Sequence, residues 1–169
     1  MAVQIRAEAA QLDADARGDV HLAESGLDPR YLELELTERT LMLDTGVVME
    51  IMEELRNIGV VFAIDDFGTC YSSLSYLKRF TVDKLKIDRS FINELSEEQG
   101  KNNAIVQAII QLGQTLDIQV IAKGVETKMQ LDQLRRFGCE KVQGYFLNRP
   151  LPVAEFEREM LALPEKGHN

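Results

Sequence analysis

Short apolar runs alternate along the chain with segments in which apolar residues recur every three to four positions. Runs of the first kind are typical of buried strands, and segments of the second kind are typical of amphipathic helices. The pattern predicts six strands, at residues 2–5, 32–36, 60–64, 81–87, 119–123 and 141–146. It also predicts four helices, at residues 45–57, 103–116, 127–137 and 152–163.

Alternating strands and helices predict an α/β fold in which right-handed crossovers join parallel strands. Ligands bind to such folds beyond the carboxyl ends of the strands. A complete eight-stranded barrel needs about 250 residues, whereas this chain has 169. We therefore expect an incomplete barrel or an open sheet formed by residues 1–163, with residues 164–169 as a flexible tail.

Polar side chains occur at the carboxyl ends of five predicted strands. Because side chains alternate along a strand, they predict one polar pocket at one end of the sheet. The residues are Glu35, Asp65, Lys86, Lys123 and Gln143. Asp65 and its neighbour Asp66 directly follow an apolar run, and adjacent carboxylates need a cation or a proton between them. This favours a metal site, and a capped turn with solvated Asp side chains is the alternative.

Charge and composition restrict the partners. The formal net charge of −9 at pH 7 argues against a nucleic-acid polymer, because phosphate backbones bind to basic faces. A small phosphate ligand held through a metal remains compatible with this charge. No apolar run approaches the roughly 20 residues of a membrane-spanning helix. Cys70 and Cys139 lack metal-ligand spacing and indicate reduced thiols in a cytoplasmic protein.

A set of motifs, in order along the chain, resembles the EAL domain of bacterial cyclic di-GMP phosphodiesterases. The motifs are Glu35-Leu-Thr-Glu38, Asp65-Asp-Phe-Gly68 with Tyr71-Ser-Ser-Leu74, Lys86-Ile-Asp88, Gly124-Val-Glu-Thr127 and Gln143-Gly-Tyr145. The resemblance implies a TIM-barrel-like EAL fold, here incomplete, with about six of the usual strands. It further implies hydrolysis of one phosphodiester of cyclic di-GMP by a metal-activated water.

The resemblance also implies a set of metal ligands. Glu35, Asp65 and Asp66 match the family's carboxylate ligands, and hard oxygen ligands suit Mg²⁺ or Mn²⁺. Gln4 aligns with an asparagine ligand of the family. Its additional methylene displaces the carbonyl oxygen by more than the roughly 0.5 Å that a preorganised site tolerates.

Other residues match catalytic, substrate-binding and loop positions of the family. Lys86 corresponds to the lysine beside the attacking water and the phosphate, and Glu126 and Gln143 correspond to further pocket residues, catalytic and substrate-binding respectively. Glu38 corresponds to the glutamate that braces the loop after Asp66, the loop that couples metal binding to dimer contacts.

The chain departs from the family pattern at several places. The Glu-Ala-Leu strand is absent, and Cys70 replaces a glycine. Lys123 stands where the family has the glutamate that is the presumed general base. A lysine, with a reference pKa of about 10.4, is protonated at neutral pH and has no lone pair to accept a proton. We hypothesise that the Lys123 ammonium pairs with the Asp carboxylates and partly replaces a metal; the alternative is that it points into solvent.

Three functional hypotheses follow. The first is a degenerate, catalytically silent EAL domain that binds cyclic di-GMP or a partner protein, favoured by Lys123 and by the absent strand. The second is an active, metal-dependent phosphodiesterase whose missing strands come from another chain. The third is a remnant without a role, against which a cooperative thermal transition would argue. Independently of these hypotheses, we expect a homodimer or other oligomer, because an incomplete sheet exposes strand edges.

Overall fold

Six β-strands and five α-helices form the part of the chain that the computed structural model describes, residues 3–7 (backbone only), 26–37, 45–69, 77, 80–98 and 100–162. The strands are β1 (Val3–Ala7), β2 (Leu32–Thr37), β3 (Val61–Phe67), β4 (Lys84–Ile87), β5 (Gln119–Lys123) and β6 (Lys141–Gln143). The helices are α1 (Thr45–Asn57), α2 (Arg89–Asn93), α3 (Lys101–Thr115), α4 (Lys128–Arg136) and α5 (Val153–Ala162). None of the helices in these ranges has both the length and the apolar content needed to cross a membrane.

The strands lie in the sheet in the same order as in the sequence, from β1 to β6, and every neighbouring pair is parallel. Such sequential order is typical of a barrel, whereas a doubly wound sheet reverses its strand order at a switch point. The α/β fold predicted from the sequence is confirmed.

An apolar core covers one face of the sheet. Alternation along each strand sends every second side chain to this face, including Phe62 and Ile64 of β3 and Leu85 and Ile87 of β4, all nearly inaccessible to solvent. Complete burial of each such side chain contributes about 2 kcal/mol to folding. The remaining side chains of the same strands, which include most of the charged ones, face the opposite side.

Two strands are shorter than the sequence predicts. β4 begins at Lys84, because the Asp83 carboxylate accepts a hydrogen bond from the backbone N–H of Phe62 (2.9 Å) and pairs with Arg56 (3.0 Å). The chain bends at Asp83, whose side chain takes up the Phe62 N–H. β6 ends at Gln143, because the chain then turns and the Gly144 carbonyl accepts from the N–H of Leu147 (3.1 Å).

The short helix α2 was not predicted. The Asp88 carboxylate caps it by accepting from the backbone N–H of Ser90 (2.9 Å). Five residues are too few to show helical periodicity, so only the cap distinguishes this segment from a loop. Asp88 directly follows β4, so the cap fixes where the chain leaves the end of that strand.

Candidate functional site

The face of the sheet opposite the apolar core carries charged side chains on β2 and β4. Glu33 and Glu35 alternate with leucines on β2, and Lys84 and Lys86 alternate with leucine and isoleucine on β4. Ala63 of β3 lies in register between Glu35 and Lys84. Because its side chain is a methyl group, the longer side chains of β2 and β4 can meet across β3.

Lys86 joins both glutamates of β2. Its Nζ lies 2.5 Å from Glu33 Oε1 and 2.5 Å from Glu35 Oε1, and only 1% of its side chain is exposed. Lys84 Nζ lies 2.5 Å from the other oxygen of Glu33. Burial alone would raise the pKa of Glu33, but its hydrogen bonds with Lys84 and Lys86 outweigh burial, so its pKa lies below the ordinary value.

A β-bulge at the end of β3 brings Asp65 and Asp66 to the same side of the sheet. Adjacent strand residues normally face opposite sides, but the register with β4 shifts between Ile64 and Phe67. Asp66 has a φ of 52°, in the left-handed region that few residues other than glycine, Asn and Asp adopt. The bulge therefore turns Asp66 back towards the carboxylate of Asp65.

Lys123, at the end of β5, binds both aspartates. Its Nζ lies 2.5 Å from Asp65 Oδ1 and 3.0 Å from Asp66 Oδ1. Burial by itself lowers the pKa of Lys123, but the hydrogen bonds to Asp65 and Asp66 outweigh it and raise the pKa above its ordinary value. The ammonium pairs with the Asp carboxylates, as hypothesised from the sequence, and does not point into solvent.

The loop after β5 depends on a glycine. Gly124 has a φ of +77°, and a Cβ at this position would lie 2.7 Å from Arg89 Cβ. Val125 is buried and anchors the loop, while the following Glu126 is exposed. The backbone N–H of Glu126 donates to Gln130 Oε1 (2.8 Å) at the start of α4. The structure therefore places Glu126 beyond the end of β5, with its side chain towards solvent.

The remaining predicted site residues, Gln143 and Gln4, lie at different levels of the sheet. Gln143 pairs in register with Lys123 and is exposed at the end of β6. Gln4 on β1 is in register with Glu33, whereas Arg6 is in register with Glu35. Gln4 thus lies two residues before the position of β1 that is in register with Glu35. The predictions for Glu38 and Cys70 fall outside the described residues.

The carboxylates have the right chemistry for a hard divalent ion, and each of them is paired with a lysine ammonium. Lys86 is bound to Glu35, and Lys123 is bound to Asp65 and Asp66, so an ammonium group lies within hydrogen-bonding distance of every carboxylate ligand that the family resemblance implies. Within the described residues, no three His, Cys, Asp or Glu side chains converge as a metal cluster.

Sequence reasoning missed Glu33 and Lys84. Both belong to alternating patterns, Glu-Leu-Glu on β2 and Lys-Leu-Lys on β4, and these patterns place charge on the same face as Glu35 and Lys86. The complementary alternation was therefore visible in the sequence. What could not be seen was that the two strands lie on either side of a strand with alanine at the matching level.

The chain is similar in sequence to known proteins. The sequence model of the EAL domain matches residues 1–150. The bifunctional diguanylate cyclase/cyclic di-GMP phosphodiesterase MucR of Pseudomonas aeruginosa is 48% identical over 134 residues, which are 79% of this chain and 19% of MucR. The chain thus spans about a fifth of the length of the curated relatives it matches.

Solved structures are similar in fold. The PaMucR phosphodiesterase in complex with c-di-GMP matches with a TM-score of 0.84 and 43% identity, over 92% of this chain and 64% of that one. The manganese and cyclic di-GMP complex of Klebsiella pneumoniae BlrP1 matches with a TM-score of 0.81 and 32% identity, over 88% of this chain and 39% of that one.

Proposed function

Because this chain belongs to the EAL domain family, we propose that it is a catalytically silent module of cyclic di-GMP signalling that acts by binding this ligand. Two relatives are named as cyclic di-GMP phosphodiesterases, and two similar structures were solved with this ligand. These likenesses support cyclic di-GMP as the ligand class. They leave open whether this chain hydrolyses it.

The contact of Lys123 with Asp65 and Asp66 carries the proposal of silence. The family resemblance implies a glutamate as general base at this position, and a base must hold a lone pair when the attacking water loses its proton. The two carboxylates raise the pKa of Lys123 by more than burial lowers it. The side chain therefore stays protonated at neutral pH and cannot accept that proton.

The same contact bears on the divalent metal. An ammonium ion 2.5 Å from Asp65 and 3.0 Å from Asp66 already supplies positive charge where the implied ligands need it. A dication would have to displace this ammonium and repel it at close range. We infer that Mg²⁺ or Mn²⁺ binds more weakly to this chain than to a Lys123→Glu variant.

An active phosphodiesterase, completed by strands from another chain, is the second candidate. The described structure favours it in one respect, since Glu35, Asp65 and Lys86 all face the same side of the sheet near the strand ends. Lys123 opposes it for the reason given above. The two candidates differ in one measurable respect, which is whether bound cyclic di-GMP becomes linear product.

The test combines binding and turnover on the purified chain. Calorimetry measures cyclic di-GMP binding in EDTA and in Mn²⁺, and chromatography resolves any linear product. We expect binding in both conditions, no product, and tighter Mn²⁺ binding in Lys123→Glu. Lys128→Glu is the matched control, because it makes the same charge change on an exposed side chain of α4.

Metal-dependent product that disappears in Asp65→Asn would overturn the proposal and establish the active enzyme. Mn²⁺ binding that is equal or tighter in the unsubstituted chain than in Lys123→Glu would show that Lys123 does not replace a metal. A folded chain that binds no cyclic di-GMP would leave a protein partner, or no role at all, as the remaining hypotheses.

A further inference from the structure

Two residues implied by the family resemblance, Glu35 and Lys86, belong to a row of four alternating charges, Glu35–Lys86–Glu33–Lys84, which we call the charge ladder. Each step is an ion pair with a nitrogen–oxygen distance of 2.5 Å. The inner members are deeply buried, with 1% of the Lys86 side chain and 3% of the Glu33 side chain exposed. Lys84, at the outer end, is 26% exposed.

Glu33 is held at both of its carboxylate oxygens. Oε1 accepts from Lys86, and Oε2 accepts from Lys84. A carboxylate fixed at two points cannot rotate without breaking one of its ion pairs. Its orientation, and the position of the ammonium bound to Oε1, are therefore determined together.

A lysine side chain is intrinsically flexible, so the position of the Lys86 ammonium depends on the groups that bind it. Its four methylenes can adopt several conformations, and each conformation places the ammonium at a different position. Glu35 alone provides one contact on the side of the strand ends, while Glu33 provides a second contact from below. Removing one partner of a buried ion pair leaves the other charge uncompensated, so Lys86 would have to move or attract water.

We propose that Glu33 is a positioning residue: anchored by Lys84, it fixes the Lys86 ammonium beside Glu35 and thereby sets the affinity of the pocket for a phosphodiester. The part that concerns the ligand rests on the proposed function. The part that concerns Lys86 rests only on the charge ladder. Neither the family motifs nor the sequence comparison assigns a role to Glu33 or Lys84.

The experiment compares the full chain with Glu33→Gln, Glu33→Asp, Lys84→Gln and the double variant Glu33→Gln/Lys84→Gln. The side-chain ammonium resonance of Lys86, assigned with Lys86→Arg, is followed in ¹H–¹⁵N spectra of lysine-labelled protein without ligand. Cyclic di-GMP affinity and thermal stability are measured on the same samples. Asp132→Asn is the control, because it breaks the exposed Lys128–Asp132 pair, which has the same 2.5 Å distance.

We expect Glu33→Gln to shift or broaden the Lys86 resonance and to weaken cyclic di-GMP binding about 10-fold, the lower end of the loss found when hydrogen-bonding partners behind metal ligands are removed. Glu33→Asp keeps the charge but is one methylene shorter, so it should shift the same resonance even if Glu33→Gln folds poorly. The double variant also removes Lys84, but Lys86 still lacks its contact with Glu33, so the Lys86 resonance should stay shifted and the affinity should stay low. Asp132→Asn should change neither property.

An unchanged Lys86 resonance in both Glu33 variants would overturn the proposal, because Lys86 would then be positioned without Glu33. A lower melting temperature with unchanged Lys86 resonance and unchanged affinity would likewise assign Glu33 a purely structural role. If the unsubstituted chain binds no cyclic di-GMP, the proposed function fails, whereas the ligand-free Lys86 spectra still decide the positioning role.

Discussion

At the scale of single residues, the backbone of Asp66 is the feature with the sharpest consequence. Its φ of 52° lies in the left-handed region, where a Cβ costs about 1 kcal/mol and glycine costs nothing. We therefore expect Asp66→Gly to be more stable than Asp66→Ala by about 1 kcal/mol. Urea denaturation of the two variants measures this difference in the free energy of unfolding.

Two other positions calibrate that measurement. Asp117 also has a positive φ, 56°, so the free energy of unfolding should again be higher for the glycine variant than for the alanine variant. Glu53 lies within α1. There the free energy of unfolding should be about 1 kcal/mol higher for the alanine variant, because glycine loses more backbone entropy in a helix. If Asp66→Ala were instead more stable than Asp66→Gly, as expected for the Glu53 pair, the bulge at the end of β3 would not exist as described.

Sequence reasoning anticipated one contact within the site but not the geometry that allows it. Lys123 was expected to pair with the aspartates, and it does. The bulge that turns Asp66 towards Asp65 was not predicted, because a local sequence does not reveal a shift of register against a neighbouring strand. The charge ladder was missed for a related reason: which strands lie next to each other is decided by the whole fold.

At the scale of elements, Gly144 fixes the end of β6. A Cβ there would lie 2.1 Å from the carbonyl oxygen and 2.3 Å from the nitrogen of Val125. The Val125 N–H donates to the Gln143 carbonyl, and the Val125 carbonyl accepts from the Phe146 N–H; both bonds are 3.0 Å long. We expect Gly144→Ala to break or lengthen both, and to lower the free energy of unfolding by about 2 kcal/mol, since each bond contributes about 1 kcal/mol.

Gly100→Ala is the matched control for this substitution, because a Cβ at Gly100 would meet nothing within 4 Å. Gly100 precedes α3 as its N-cap, so alanine there should cost no more than about 1 kcal/mol. Chemical denaturation of both variants gives the comparison. Equal destabilisation would show that the close approach to Val125 is not what requires glycine.

Element ends were the least accurate part of the sequence prediction, and these contacts explain why. The apolar pattern of residues 141–146 continues past Gln143, but the approach of Gly144 to Val125 turns the chain away from the sheet. Likewise, Asp83 interrupts β4 on its amino side through side-chain contacts with a neighbouring strand and helix. Both stops depend on residues more than fifteen positions away, which periodicity does not reveal.

At the scale of the whole molecule, the described sheet separates two kinds of chemistry. One face packs an apolar core, and the other carries ion pairs that reach from β2 to β5. This division was predictable, because alternation along each strand assigns its residues to two faces. The order of the strands was not predicted from the pattern, which allowed an open sheet as well as an incomplete barrel; the sequential order is the one typical of a barrel.

The described sheet has two edge strands, β1 and β6, and this leads to a prediction about association. Strand edges offer backbone groups to another chain, and exposed apolar side chains follow β6, including Leu147 (53% exposed) and Val153 (74% exposed). Burying such surface favours association. We therefore expect a dimer or larger species by light scattering. Val153→Glu should raise the monomer fraction, whereas Ile105→Glu, at an exposed position on α3, should not. A monomer across a wide concentration range would refute the prediction.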